Sequence, residues 1–313
     1  MKVFVDGSEG TTGLEIVKHL EAREDVEILT VDSGLRKDVA ARAAMHDQAD
    51  IGVLCLPDAA SKEVVPQVTN PETVIIDAST AFRTHADWVY GLPELTSGQR
   101  EAIRTSKRIA NPGCHATGYL LLARPLTDAG VLPAPATLTA TSLTSYSGGG
   151  KKMIARFETE EGDHLAACPY ALAMAHKHLP EMQKWSGLDK APAFLPTVGR
   201  FYRGMVVTIP IFAEQFSKDV SAEEITAIYQ EHFKDEPFIK VAEANDPQIA
   251  PDGLLDPTAC AHSQRADIFV TGTGSQHFLL SCRIDNLRKG ASGAAIQSLN
   301  IVSGASETTG LTV

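Results

Sequence analysis

At 313 residues the chain is long enough for two domains, each with a core of its own. A composition of 43% hydrophobic and 21% charged residues, with mean hydropathy near zero, excludes a fibrous, low-complexity or largely disordered protein. Acidic residues outnumber basic ones 39 to 28, a formal net charge of -11, and the basic residues run no further than pairs such as Arg36-Lys37, Lys151-Lys152 and Arg288-Lys289. Pairs suit one small anion, so nucleic acid and anionic lipid are excluded as expected partners. No stretch approaches the roughly 18 apolar residues of a membrane span, and the chain opens as a strand rather than a signal peptide; a cytoplasmic protein is expected. Five scattered cysteines (Cys55, Cys114, Cys168, Cys260, Cys282) form neither a disulfide framework nor a metal motif.

Residues 2–6 are a β-prone run ending at Gly7, and Leu14, Val17 and Leu20 follow at helical spacing. Between them Gly7, Ser8, Gly10, Thr11, Thr12 and Gly13 form a glycine-rich turn, the place where helix N–H groups meet a pyrophosphate. The same glycines also serve a tight strand-to-helix turn with no ligand. A second strand is expected over 27–31. At its end Asp32 favours a free ribose 2′-hydroxyl, whereas Ser33, Arg36 and Lys37 favour a 2′-phosphate. A helix over 38–46, a strand over 51–57, a helix over 59–68 and a strand over 74–77 continue the alternation. Strands this continuously apolar imply a parallel sheet covered on both faces. Arg83 falls beyond the carboxyl end of the 74–77 strand, the edge where such sheets bind ligands.

A short strand over 108–110 runs into Asn111-Pro112-Gly113-Cys114-His115-Ala116-Thr117-Gly118 and an apolar helical stretch. Cys114 therefore falls at a helix N-terminus, where unpaired N–H groups favour a thiolate, and is the nucleophile candidate; the other cysteines read as packing residues. Near residue 112 the rhythm changes to long strands over 136–147, 205–211, 268–270 and 278–284, indicating a mixed or antiparallel sheet. Ser147 and the run Gly148 to Lys152 read as a flexible loop with hydroxyl, backbone and ammonium donors, or simply a hairpin joint. A helical run over 169–175 is expected before His176-Lys177-His178-Leu179-Pro180-Glu181, with Pro180 as the stop. Either His176 or His178 is a candidate acid/base, a helix end decorated with cations being the alternative. Ser221 with Glu224 spells a capping box. Asn286 and Gly290 open a small-residue segment leading to a last helix over 290–302, which suits ligand approach or tight packing equally.

In order along the chain, residues 7–13, 77–83, Gly91-Leu92-Pro93-Glu94, 111–118, 145–152, 176–181 and 285–294 resemble the short-form N-acetyl-γ-glutamyl-phosphate reductases, of the aspartate-semialdehyde and glyceraldehyde-phosphate dehydrogenase superfamily. Lys177 stands where that family more often has arginine. The resemblance implies an α/β fold: a Rossmann-type doubly wound NADP-binding domain over 1–112 and 290–313, and an α+β mixed-sheet catalytic and dimerisation domain over 113–289. It implies NADPH-dependent reduction of an acyl phosphate through a thioester on Cys114, with a histidine of the 176/178 pair protonating the departing thiolate. Gly7 to Gly13, Ser33, Arg36, Lys37, Asn286 and Gly290 are the expected cofactor contacts. Arg83, Arg108, Asn111, Ser147, Lys151 and Lys152 are the expected substrate contacts, and a homo-oligomer is expected. The alternatives are a reductase of another acyl phosphate such as aspartyl phosphate, and a thiol hydrolase or acyltransferase without redox chemistry.

Overall fold

In the computed structural model, which describes residues 1–272 and 276–313, the chain forms two units: residues 1–93, 97–113 and 291–311, and residues 94–96, 114–290 and 312–313. In the first, the apolar runs pair into a sheet built from β1 (Lys2–Asp6), β2 (Glu27–Leu29), β3 (Ile51–Leu54), β4 (Val74–Asp77), β5 (Val89–Tyr90) and β6 (Arg108–Ala110). Helices α1 (Thr11–Glu21), α2 (Val39–Gln48), α3 (Asp58–Val64) and α4 (Gln99–Thr105) connect them. The strand order is β2-β1-β3-β4-β6-β5, and every described pair is parallel. Val3, Val5, Ile51, Val53, Ile76 and Ile109 are buried in its core, as expected of strands covered on both faces.

Several elements, β2, β3 and α3 among them, end earlier than their hydrophobicity predicts, and for two the local cause is visible. β2 stops at Leu29, because the Asp32 carboxylate accepts the Gly34 N–H at 3.1 Å and turns the chain. α3 stops at Val64 and gives way to a 3₁₀ turn holding Pro66, whose ring cannot continue an α-helix interior.

The second unit holds α5 (Cys114–Asp128), β7 (Thr139–Ser145), α6 (Gly150–Glu158), β8 (Ala167–Pro169), α7 (Leu179–Ser186), β9 (Ala193–Gly199) and β10 (Met205–Phe212). It continues with α8 (Ala222–His232), β11 (Ile239–Val241), β12 (Ala266–Thr271) and β13 (His277–Ile284). Among the described residues the sheet runs β11-β12-β13-β10-β7-β9-β8, mixed because β11/β12 and β7/β9 are parallel while the other pairs are antiparallel. Helices α5 and α8 cover one face. The other presents Leu143, Leu195, Phe212 and Leu279, all more than a third exposed. The Ser221 capping box forms in both directions: its hydroxyl accepts the Glu224 N–H at 3.2 Å, and its own N–H donates to the Glu224 carboxylate at 2.8 Å. The last helix, α9 (Gly293–Ser303), belongs with the first unit, where Ile296 and Leu299 join the core beside Ile16 and Leu20 of α1.

Three expectations for this unit are corrected. Residues 169–175 are not helical. Their small and apolar residues imitate a helical pattern, but the chain leaves β8 through turns in which Ala171 and Met174 take positive φ (53° and 56°), a conformation no helix accommodates. Pro180 accordingly starts a helix rather than stopping one, since in the first turn of α7 its missing N–H removes no helical hydrogen bond. The glycine run expected as a flexible loop is a 3₁₀ turn over Tyr146–Gly149 followed by α6, with Gly150 at φ +71° as the joint.

Candidate active site

The first unit carries a cleft of about 840 Å³ at the carboxyl ends of β1 and β3, where the strand order reverses. Its lining includes Gly7 to Gly10, Ser33, Arg36 and Lys37. Gly7 has φ +88°, and a Cβ there would come within 2.5 Å of the Cys55 carbonyl oxygen. A Cβ on Gly13 would come within 2.3 Å of the Gly7 oxygen, so both glycines are demanded by the turn itself. Gly10 caps α1 without a side-chain acceptor, leaving the first-turn N–H groups of Thr11, Thr12 and Gly13 to something other than a cap. A dinucleotide fits this arrangement: the uncapped helix start suits a pyrophosphate, and Ser33, Arg36 and Lys37 suit a 2′-phosphate. Asp32, the residue that would favour a bare ribose, is turned back onto Gly34. Arg36 forms an ion pair with Glu9 of the glycine loop.

At the carboxyl edge of β4 and β6, Arg83 is buried, donating from Nε to the Asn111 carbonyl at 2.9 Å and from its terminal nitrogen to the Ala78 carbonyl at 3.2 Å. The Asn111 side-chain amide donates to the Ala291 carbonyl at 3.0 Å, leaving its buried Oδ1 without a partner among the described residues. Asp77 ends β4; burial pushes its carboxyl up to about 6, against hydrogen bonds donated by Ser79 at 2.5 Å and Ser61 at 2.8 Å. Arg108 is set apart from this group. It begins β6, at the opposite edge of the sheet, and its guanidinium donates to the Thr73 and Lys107 carbonyls at 3.0 and 2.9 Å. Arg108 thus stands apart from Arg83 and Asn111 in this structure.

In the second unit Cys114 is the first residue of α5 and is half-buried. Gly290 lies against it, since a Cβ on Gly290 would come within 2.6 Å of the Cys114 Cβ; this glycine is needed for close packing under the thiol. The neighbouring Lys289 is wholly buried and ion-paired with Glu94 at 2.5 Å. Burial pushes three thiols up, Cys260 to about 11 and Cys55 and Cys282 further, consistent with packing roles. No disulfide joins the described cysteines.

His176 and His178 meet edge to face, with ring centroids 4.7 Å apart, and the His178 backbone N–H donates to His176 Nδ1 at 3.1 Å. His178 Nε2 lies 4.0 Å from a carboxylate oxygen of the buried Glu181, one helical turn along α7. His115, which the sequence presents only as the neighbour of Cys114, joins the pair at centroid distances of 5.1 and 5.5 Å. Its Nε2 is 2.8 Å from the Tyr170 hydroxyl. Burial chiefly, helped by the Cys114 charge, holds the Tyr170 phenol well above the usual tyrosine range. His115, Tyr170, Glu181 and the Glu94–Lys289 pair were not foreseen. The Glu181 spacing from His178 was the one available signal.

Ser147 and Asn286 turn toward each other: the Asn286 amide donates to Ser147 Oγ at 2.9 Å while its oxygen accepts from Ser145 Oγ and the Gly204 N–H. These side chains lock the end of β7. Lys151 and Lys152 are exposed in the first turn of α6.

The chain matches the family models for the semialdehyde dehydrogenase NAD binding domain over residues 2–106 and the semialdehyde dehydrogenase dimerisation domain over residues 114–286. It is 41% identical to N-acetyl-γ-glutamyl-phosphate reductase 2 of Nostoc sp., covering 99% of both chains. The N-acetyl-γ-glutamyl-phosphate reductase of Brucella suis is 42% identical, over 97% of this chain and 99% of the relative, and that of Burkholderia cenocepacia is 43% identical, over 97% of each. Among solved structures, aspartate semialdehyde dehydrogenase II from Vibrio cholerae superposes with a TM-score of 0.72 at 17% identity, over 97% of this chain and 98% of the other. Aspartate semialdehyde dehydrogenase from Francisella tularensis superposes with a TM-score of 0.71 at 14% identity, over 97% of this chain and 100% of the other. No helix among the described residues is long and apolar enough to cross a membrane. With a glycine-lined cleft in one unit, a cysteine heading a helix beside buried His115 in the other, and relatives matched from end to end, the chain belongs to the N-acetyl-γ-glutamyl-phosphate reductase family.

Proposed function

We propose that this protein reduces N-acetyl-γ-glutamyl phosphate with NADPH, releasing phosphate and N-acetyl-L-glutamate 5-semialdehyde, a step of arginine biosynthesis in the cytoplasm. The observation that carries this reading is Cys114 at the head of α5, directly followed by the buried His115 whose ring meets those of His176 and His178, within a chain whose relatives of that name match along its whole length.

His178 takes the Cys114 proton, and the thiolate attacks the acyl carbon. The carbon–oxygen bond to phosphate breaks, phosphate departs, and a thioester remains on Cys114. N–H groups in the first turn of α5 stabilise the oxyanion, as helix starts do for developing negative charge. When bound, NADPH supplies the hydride that reduces the acyl carbon. The carbon–sulfur bond then breaks and His178 returns its proton to the sulfur. Glu181 holds the imidazolium between these two events, while His176, its Nδ1 occupied by the His178 N–H, offers Nε2–H to the substrate. Gly7 to Gly13, Ser33, Arg36 and Lys37 hold the cofactor. Arg83, Lys151 and Lys152 supply cations for phosphate and carboxylate, with Asn111 beside Arg83.

The chain works as a homo-oligomer assembled through the sheet face bearing Leu143, Leu195, Phe212 and Leu279, an apolar surface of the kind that partners cover. Leu279→Asp is expected to lower the mass measured by light scattering to that of a monomer.

Assays with NADP, phosphate and either N-acetylglutamate semialdehyde or aspartate semialdehyde test the substrate. Turnover of the longer aldehyde is expected; turnover of the shorter alone would overturn the reading. A thiol hydrolase would show no requirement for nicotinamide.

A further inference from the structure

His115 is buried, directly follows Cys114 in α5, and has both ring nitrogens engaged: Nδ1 lies 3.0 Å from Ser142 Oγ on β7 and Nε2 lies 2.8 Å from the Tyr170 hydroxyl. Its faces and edges are enclosed by His176, His178 and Phe194 of β9, with centroids 5.1 to 5.5 Å away. Tyr170 also meets His176, at 5.8 Å. One imidazole is therefore the meeting point of α5, β7, β9 and the 170–178 segment.

We propose that His115 is a positioning residue for the reaction: braced between Ser142 and Tyr170, its ring sets the orientation of the His176 and His178 imidazoles. The proposal rests on the reading of His178 as the acid/base. A neutral imidazole carries one N–H, so it gives one hydrogen bond and accepts the other, and a serine or tyrosine hydroxyl can take either part. The brace is satisfied without charge. Burial, with the His176 and Lys177 charges, holds His115 down to about 3, so it contributes no competing proton at working pH. The titratable and charged groups around it are Cys114 on α5; Tyr170, His176, Lys177 and His178 on the 170–178 segment; and Glu181 on α7. Ser142 and Phe194, from β7 and β9, are uncharged. His115 meets His176 edge to face and His178 at a tilt of 54°, and packed rings have preferred geometries, so a pinned ring restricts its neighbours' rotamers.

The test compares His115→Phe, which keeps a ring but ends both hydrogen bonds, with Ser142→Ala, which removes one brace and touches no reacting group. His115→Phe is expected to lower kcat about tenfold or more, as misorientation of an acid/base does, with KM for the semialdehyde and for phosphate within about twofold. The pH midpoint of kcat/KM is expected to move, and Ser142→Ala to give a smaller change in the same direction. The pH dependence of iodoacetamide alkylation at Cys114, followed by mass spectrometry, is expected to move in parallel and needs no turnover. Unchanged kcat and unchanged pH profiles in His115→Phe would overturn the proposal while leaving the reductase reading intact. If that variant fails to fold, unchanged profiles in Ser142→Ala do the same. A wild-type protein inactive towards both semialdehydes sinks the reductase reading, and the alkylation profiles still decide the role of His115.

Discussion

The backbone N–H of His178 donates to Nδ1 of His176 at 3.1 Å, so two adjacent imidazoles are inequivalent. His176 accepts at Nδ1 and carries its proton on Nε2, while His178 lies across from the buried Glu181 carboxylate at 4.0 Å.

Their substitutions therefore separate. His178→Asn is expected to lower kcat by roughly 10² to 10⁴, the usual worth of a positioned acid/base. His176→Asn is expected to act chiefly on KM, and Glu181→Gln to give an intermediate loss in kcat. Steady-state kinetics of the three variants check this; equal effects of both histidines on kcat would contradict the division of roles.

Gly290→Ala places a methyl group against the Cys114 Cβ, and the thiol must move. A displaced nucleophile costs on the order of a hundredfold in rate, with the melting temperature little changed if α5 gives locally. Breaking the pair beneath it is different: Lys289→Met leaves the Glu94 carboxylate buried, and removing one partner of such a pair costs about 3–5 kcal/mol. Chemical denaturation of Lys289→Met and of Lys289→Met with Glu94→Leu is expected to show most of that loss recovered in the double variant.

Arg36 and Lys37 line the first-unit cleft with Ser33, and Glu9 competes for Arg36. Arg36→Ala is expected to weaken NADP binding about tenfold, the order of one charge-assisted contact, and to leave NAD binding unchanged. Glu9→Gln is expected to tighten NADP by releasing the guanidinium. Calorimetric titration with both dinucleotides gives the comparison, and equal losses for NAD and NADP would remove Arg36 from 2′-phosphate recognition.

His115 binds a proton in the unfolded chain near pH 6.5 but not in the folded one until about pH 3, so its contribution to stability is present above pH 6.5 and is lost as pH falls towards 3. Asp77 acts in the opposite sense: its folded value near 6 lies above the unfolded 3.8, so its share of stability is present below about 3.8 and is lost as pH rises through 6. The difference between wild type and His115→Gln isolates the histidine, with an acid-side slope on the order of a few kcal/mol in total between pH 6.5 and 4. Denaturation midpoints across that range measure it. Parallel curves for the two proteins would mean that His115 titrates normally.

The parallel sheet was legible because its strands are buried on both faces and so are written as unbroken apolar runs, with Val74–Asp77 and Arg108–Ala110 readable to the residue. Cys114 at a helix start was equally local, set by the Pro112-Gly113 turn before an apolar helix. The 169–175 segment was misread because its small residues fit a helix, and only the pairing of β8 with β9 makes it leave as turns. What no periodicity encodes is which distant side chains become neighbours in space. His115, Ser142, Tyr170 and Glu181 stand up to 66 positions apart in sequence, and the β7/β9 register and the turn into α7 bring them together. Hydrogen bonds and ring contacts act over a few ångströms of space, which sequence separation does not measure. Local propensity and burial pattern thus determined the strands and the nucleophile's helix, while the environment that orients its proton carriers was decided by tertiary packing.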